Sequence, residues 1–283
     1  VSGYAHPEVL VEPQWLEAHL SDPSVRIVEA DENPDLYEQG HIPGAIRLHW
    51  KDDLQDPIIR DWVSPERFAR IVGERGIGPD HTVVFYGDRS NWFAAYTFWV
   101  FTYYGHRDAR ILNGGRDRWL REGRPVSAEV PRHPPVDYPV PVPDRSIRAF
   151  RDEVLQRLGH SEVALVDVRS ADEYAGRLLA PPAYPQEGAQ RPGHIPGARN
   201  IPWSVNVGED GTFKPADELR RLYEDQGVRP EMEVIAYCRI GERSSLTWFT
   251  LRYLLGYPRV RNYDGSWTEW GSLVGVPIER EGR

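Results

Sequence analysis

Short apolar runs alternate with polar stretches of helical spacing along this chain, and the alternation is written twice. VRIVEADENPDLYEQ (25–39) and VALVDVRSADEYAG (163–176) each read as a short buried strand, a turn and a polar helix start. FARIVGERGI (68–77) and ELRRLYEDQGV (218–228) carry apolar residues at helical spacing and stop at glycine. The helix over 217–226 is expected to be amphipathic, with one solvated face. VVFYGDRSNWFAAYTFWVFTYYGH (83–106) matches VIAYCRIGERSSLTWFTLRYLLGY (234–257), each a buried strand leading through a loop into a helix. Strand and helix taking turns predicts an α/β unit with a largely parallel sheet.

The hexapeptide GHIPGA stands at 40–45 and again at 193–198, and a constant offset of 151 residues links Tyr86 to Tyr237, Gly105 to Gly256 and Trp119 to Trp270. Two long copies predict one fold duplicated, not a solenoid. The proline-dense VPRHPPVDYPVPVP (130–143) resists helix and favours a stiff, extended connection. The expected organisation is a first domain over 1–128, a linker over 129–145 and a second domain over 146–283. The copies differ in two places: RLLAPPAYPQEGAQRP (177–192) precedes only the second GHIPGA, and Gly87 stands where Cys238 stands in the second copy. One working domain and one supporting domain are the expectation.

Composition narrows the chemistry. The 283 residues are 40% hydrophobic and 27% charged, with ten tryptophans and fourteen tyrosines, which suits two folded domains and not disorder. A net charge of -9 offers no basic footprint for nucleic acid. A single cysteine excludes an intrachain disulfide, a CxxC redox pair and a cysteine-rich zinc site. The nine histidines are scattered without metal-binding spacing, so no metal is expected. No apolar run reaches the roughly 18 residues of a membrane span, and VSGYAHPEVLVEP lacks the charged and apolar regions of a secretory signal. The expectation is a cytoplasmic chain whose thiol stays reduced.

That thiol carries the candidate chemistry. VIAYC delivers Cys238 to the carboxyl end of a buried strand, the edge where parallel α/β sheets bind ligands. RIGERSS then forms the strand-to-helix loop, with Ser244 or Ser245 as the expected helix N-cap. Backbone N–H groups, a helix N-terminus, Arg239 and Arg243 all favour thiolate, so a lowered thiol pKa is expected. Gly241 lets the loop curl so that its amides converge. The competing reading is a small buried core cysteine.

His41 and His194 occur in both copies, which points to structural roles. Trp270 is expected in the core, as its match Trp119 is, whereas Trp267 fits either the core or a pocket wall. Asp167 and Asp264 are expected to hold loops through backbone hydrogen bonds. Arg169, Arg177 and Arg191 are each long enough to reach the pocket, but a solvated surface position is the expectation for each.

The duplicated GHIPGA, the loop CRIGERSS and the terminal YDGSWTEW together resemble the two-domain rhodaneses, the thiosulfate sulfurtransferases. The resemblance runs through nearly the whole chain and implies two tandem rhodanese-like α/β domains, only the second catalytic. It implies that Cys238 is the persulfide-forming nucleophile, needing no cofactor. A small anionic sulfur donor, thiosulfate, and a nucleophilic acceptor, cyanide or a thiol, are the implied partners. The substrate loop is Arg239, Ile240, Gly241, Glu242, Arg243 and Ser244, with amides 239–243 around the anionic sulfur. Arg243 corresponds to the substrate-binding arginine of CRIGERS loops, and Arg239 to the cationic second position of thiosulfate-using loops. Vertebrate rhodaneses carry lysine where this chain has Ile240, and an arginine where it has Glu173. Glu242 is expected to point outward.

Three alternatives stay open. Mercaptopyruvate sulfurtransfer uses the same machinery, although those loops tend to carry glycine in the place of Arg239. A non-catalytic sulfur carrier is the second. A cysteine-dependent phosphatase is the third, although its loop has one more residue between cysteine and arginine.

Overall fold

The computed structural model describes residues 3–184 and 188–281. The chain divides into two compact units: Glu8–Asp144 with Glu209–Phe213, and the residues up to Pro7 with Arg145–Gly208 and Lys214 onward. Both are α/β units built on parallel sheets, as the alternating pattern predicts.

The first unit contains β1 (Leu10–Val11), α1 (Pro13–Ala18), β2 (Val25–Glu29), α2 (Leu36–Gln39), β3 (Ala45–Arg47), α3 (Pro65–Glu74), β4 (Thr82–Tyr86), α4 (Trp92–Tyr103), β5 (Ala109–Leu112) and α5 (Gly115–Arg121). Its sheet runs β1-β5-β4-β2-β3, with every pair parallel. Central β4 is buried on both faces, which is why VVFY carries no polar alternation. Helix α4 is apolar all round and correspondingly buried. Ser64 caps α3, its hydroxyl accepting the Arg67 N–H at 3.3 Å, and Gly76 at φ +73° ends it.

The second unit contains α6 (Arg151–Gln156), β6 (Val163–Asp167), α7 (Ala171–Tyr174), β7 (Arg199–Asn200), α8 (Ala216–Asp225), β8 (Glu233–Tyr237), α9 (Glu242–Phe249), β9 (Val260–Tyr263) and α10 (Ser266–Trp270). Its sheet runs β7-β6-β8-β9, again parallel throughout. Helix α8 buries Ala216, Leu219 and Tyr223 and turns its other face to solvent, as its periodicity predicts. The helix begun by α9 continues through a π-helical turn, Thr250–Leu254.

The repeated histidines are structural in both units. His41 stacks on Tyr37 at 3.8 Å and His194 on Tyr174 at 3.6 Å, and each ring nitrogen Nδ1 bonds the carbonyl of its stacking partner. Gly193 before the second histidine is required: its φ is +128°, and a Cβ there would lie 2.4 Å from the Glu279 carbonyl oxygen. Trp119 and Trp270 are core residues in their own units.

Candidate active site

Cys238 is the first residue past β8, and α9 starts at Glu242, so the connecting loop has only four residues, Cys238 to Gly241. Gly241 makes that turn possible. Its φ is +103°, and a Cβ would lie 2.7 Å from the Asp264 side chain. Gly241 is also the N-cap of α9, in place of the expected Ser244 or Ser245. The chain turns into the helix earlier because glycine adopts a left-handed conformation that the serines resist. The two hydroxyls are thereby turned inward: Ser245 donates to the Gly241 carbonyl at 2.6 Å, and Ser244 reaches the sulfur.

The terminal DGSWTEW motif fastens this loop. Ser266, at φ +53°, accepts the Cys238 N–H at 3.1 Å on its hydroxyl, which in turn donates to the Tyr263 carbonyl at 2.6 Å. Trp267 N–H donates to the Cys238 carbonyl at 3.0 Å. Thr268 holds the Arg239 carbonyl through its N–H at 3.1 Å and its hydroxyl at 2.7 Å. Asn262 donates to the Gly241 carbonyl at 3.1 Å. The loop carbonyls are thus drawn to α10 and β9.

The Cys238 sulfur is wholly buried, yet its surroundings are polar. It accepts the Gly241 N–H at 3.2 Å and the Ser244 hydroxyl at 3.4 Å, and its own S–H donates to Glu242 Oε2 at 3.2 Å. Ile240 N–H does not converge on the sulfur but on Glu242 Oε2, at 3.2 Å. Glu242 therefore points inward, contrary to expectation, and is buried. Its place at the first helical turn aims the carboxylate back at the loop N–H groups, as an acidic side chain favours.

The thiol pKa moves in the opposite direction from the one expected. Burial and then the Glu242 charge push it up, and Arg243 and Ser244 only partly offset them. Both effects favour the neutral thiol.

Both loop arginines have carboxylate partners. Arg243 makes a forked pair with Glu173, Nη1 to Oε2 at 2.9 Å and Nη2 to Oε1 at 3.1 Å. Burial raises the Glu173 pKa, but the Arg243 pair outweighs it and holds the carboxyl below its usual value. Glu173 itself is fixed by a capping box, receiving the Ser170 N–H and hydroxyl, each at 3.0 Å. The S-x-x-E spacing at 170–173 signals that capping box in the sequence; the partnership with Arg243 has no sequence signal. Arg239 reaches Glu242 Oε1 at 3.3 Å and lies 4.3 Å over the ring of Tyr184, which the 177–192 insertion supplies. Part of that insertion, 185–187, lies outside the described residues.

Arg169 is not solvated. It is buried, forked onto Asp167 with Nε to Oδ1 at 2.9 Å, bonded to the Gly193 carbonyl at 2.7 Å, and stacked 4.6 Å over Trp267. The Asp167 carboxylate offsets the burial, and a stacked guanidinium tolerates desolvation better than an ammonium. Asp167 also accepts the Arg169 N–H at 3.0 Å. Arg177 and Arg191 are exposed, as expected. Trp267 belongs to the core. Asp264 forms an ion pair with Arg148 at 2.9 Å, a role the sequence does not signal. Among the described residues, no group of three or more His, Cys, Asp or Glu side chains is placed to hold a metal ion. No helix among them is long and apolar enough to cross a membrane.

The rhodanese-like domain family matches twice, over 12–122 and 150–273. The chain is 58% identical over 281 residues to the "Sulfur carrier protein TtuD" of Thermus thermophilus, covering 98% of this chain and 99% of that one. It is 55% identical over 275 residues to the "Putative thiosulfate sulfurtransferase" of Mycolicibacterium smegmatis, covering 97% and 99%. Among solved structures, the anaerobic ergothioneine biosynthesis enzyme of Chlorobium limicola superposes with a TM-score of 0.85 at 27% identity, covering 98% of this chain and 71% of that one. A variant of EanB bearing a cysteine persulfide, in a tetrahedral intermediate state with ergothioneine, superposes with a TM-score of 0.86 at 27% identity, covering 98% and 71%. A family match over most of the chain, together with these identities, places it: the protein belongs to the rhodanese-like domain family and carries that domain twice.

Proposed function

We propose that this protein is a thiosulfate sulfurtransferase working through a persulfide on Cys238. The observation that carries the reading is the position of the sulfur at the strand-to-helix loop, in reach of the Gly241 N–H and the Ser244 hydroxyl and flanked by Arg239 and Arg243. The deprotonated sulfur bonds to the outer sulfur of thiosulfate. The sulfur–sulfur bond of the donor breaks, and its electron pair leaves with sulfite. The persulfide then carries one sulfane sulfur and one negative charge, which the loop donors stabilise. Cyanide or a thiolate attacks the outer sulfur, and the electron pair of the persulfide bond returns to Cys238.

Arg243 and Arg239 supply the positive charge that a sulfonate dianion needs, and each already leans on a carboxylate. Their role is to neutralise incoming charge without leaving bare cations in a buried site. The names of the mycobacterial and Thermus relatives both fit sulfur handling.

A carrier function is the second reading, favoured by the 58% identity to a named sulfur carrier and by a thiol that is buried and protonated at rest. Steady-state kinetics with thiosulfate and cyanide separate the two. A transferase releases sulfite and thiocyanate in equal amounts over many turnovers. A carrier releases sulfite slowly with thiosulfate but is loaded readily by a persulfidic partner protein. No sulfite release and no loading from either source would remove both readings.

A further inference from the structure

Glu242 is an anomaly in a loop meant to receive an anion. Its carboxylate sits at the sulfur, buried, and occupies two donors of the same cradle: the Ile240 N–H at 3.2 Å and the Arg239 guanidinium at 3.3 Å. An ionised carboxylate there repels both a thiolate and a dianionic donor. The geometry offers a way out, because the S–H of Cys238 donates directly to Glu242 Oε2 at 3.2 Å.

We propose that Glu242 is the proton acceptor for Cys238, taking the thiol proton as the sulfur bonds to the outer sulfur of the donor. The inference rests on the sulfur-transfer reading above. The balance is simple: thiol and carboxylate become thiolate and carboxylic acid, so the site gains no net charge. The thiolate then displaces sulfite, which leaves with the electron pair of the broken sulfur–sulfur bond. Glu242 keeps the proton through that step and gives it to the departing sulfite or to solvent. Protonation also weakens its hold on Arg239 and on the Ile240 N–H, which become available to the donor's sulfonate. One proton transfer thus makes the nucleophile and opens the cradle.

Among the described residues, no other group near the sulfur is placed to accept its proton. Ser244 donates to the sulfur and cannot also take its proton. Among the described residues, no histidine hydrogen-bonds to Cys238. The other charged groups facing the site are Arg243 with its partner Glu173 of α7, and Arg239. Asp264 packs against Gly241 and is paired with Arg148. Glu242 alone combines a carboxylate with contact to the sulfur, which is what general base catalysis requires.

Glu242→Gln tests this, because it keeps an acceptor for the Ile240 N–H while removing the base. Sulfite release from thiosulfate and iodoacetamide alkylation of Cys238 are each followed against pH, for both proteins. Removing a base of this kind lowers kcat/KM for thiosulfate by about 10²–10⁴-fold at neutral pH. The rate of the variant then climbs about tenfold per pH unit, as the thiol ionises unaided. Its alkylation midpoint shifts to lower pH at the same time, because a negative neighbour is gone. A purely structural lesion does not produce this crossed pair of effects. A variant that transfers sulfur as fast as the parent at neutral pH, or faster, overturns the proposal and makes Glu242 a mere plug.

Should the variant fold poorly, the parent protein alone decides the matter. Single-turnover sulfite release in heavy water slows if the S–H proton is in flight, and is unchanged or faster if the thiolate is preformed. Should the parent release no sulfite at all and take up no sulfur from thiosulfate, the sulfur-transfer reading itself fails, and this inference with it.

Discussion

Gly87 and Cys238 occupy the same place in two copies of one fold, yet their loops are built for opposite purposes. A Cβ at Gly87 would lie 2.0 Å from the Ala30 carbonyl oxygen, so no cysteine fits there without moving β2's exit. Past Asp88, the three residues Arg89, Ser90 and Asn91 all take positive φ, where the Cys238 loop uses Gly241 alone. Carboxylates fill the cradle of the first unit: Asp31 accepts the Asp88 N–H at 2.8 Å, and Asp88 accepts the Glu32 N–H at 2.7 Å. The buried guanidinium has also changed origin. Arg116 of α5 reaches Glu29 at 2.7 Å in the first unit, whereas Arg169, next to β6, grips Asp167 in the second. Trp267 stands at the position matching Arg116, and Asp31 at the position matching Arg169. The frame is shared, and a handful of side chains at the sheet's carboxyl edge decides whether the loop holds a sulfur or closes on itself.

The largest effect expected from this comparison is the failure of a simple transplant. Cys238→Ala abolishes sulfur transfer, and adding Gly87→Cys does not restore it. The new side chain instead destabilises the first unit by about 3 kcal/mol or more, as overpacking against backbone does. Sulfite release and thermal unfolding check both halves of the statement. Restored transfer would mean that the first loop is only a cysteine away from function.

Next come the buried ion pairs. Arg243→Met strands Glu173, and Arg116→Met strands Glu29, and each costs about 3–5 kcal/mol. Only the first is expected to lower kcat/KM for thiosulfate. Equal kinetic damage from both would break the distinction between the units.

The first unit also carries a pH dependence of its own. Burial, then the Glu29 carboxylate, raises Asp31 to about 9, and burial chiefly raises Asp88 to about 6. A carboxyl raised in the folded state holds its stabilisation fully below its unfolded value, about 3.9, and loses it as pH climbs through the folded value. Between about pH 4 and 9, these two groups therefore weaken the protein as pH rises. Asp31→Asn flattens that decline, and the melting temperature of the variant relative to the parent improves steadily toward alkaline pH. A constant difference would show that Asp31 is ionised throughout.

The smallest effect is at Tyr184. Removing its ring by Tyr184→Leu takes one face from Arg239 at a cost of about 0.5–1 kcal/mol. KM for thiosulfate rises a few-fold with kcat unchanged.

The fold was readable because its evidence is local and repeated. VVFY and VIAY are strand-like runs, GHIPGA is a turn, and the constant offset joins them. The place of Cys238 at a strand end was readable for the same reason. What stayed hidden depends on direction and on partners distant in sequence. Nothing in RIGERSS tells which way Glu242 points, because that follows from Gly241 starting the helix early. Arg243 and Glu173 are seventy positions apart. Arg169 reads as an exposed cation until Asp167 and Trp267 close around it. The thiol shift runs against the sequence expectation because loop dipoles are visible in sequence, whereas burial and an inward carboxylate are not.

Intact-protein mass spectrometry, before and after thiosulfate and then after cyanide, reads the function of Cys238 most directly. The parent chain should gain the mass of one sulfur atom, located by peptide mapping on Cys238, and lose it to cyanide, while Cys238→Ala stays unchanged. A parent mass that does not move with thiosulfate or with a persulfidic protein donor, or a sulfur that loads equally onto the alanine variant, would contradict the account.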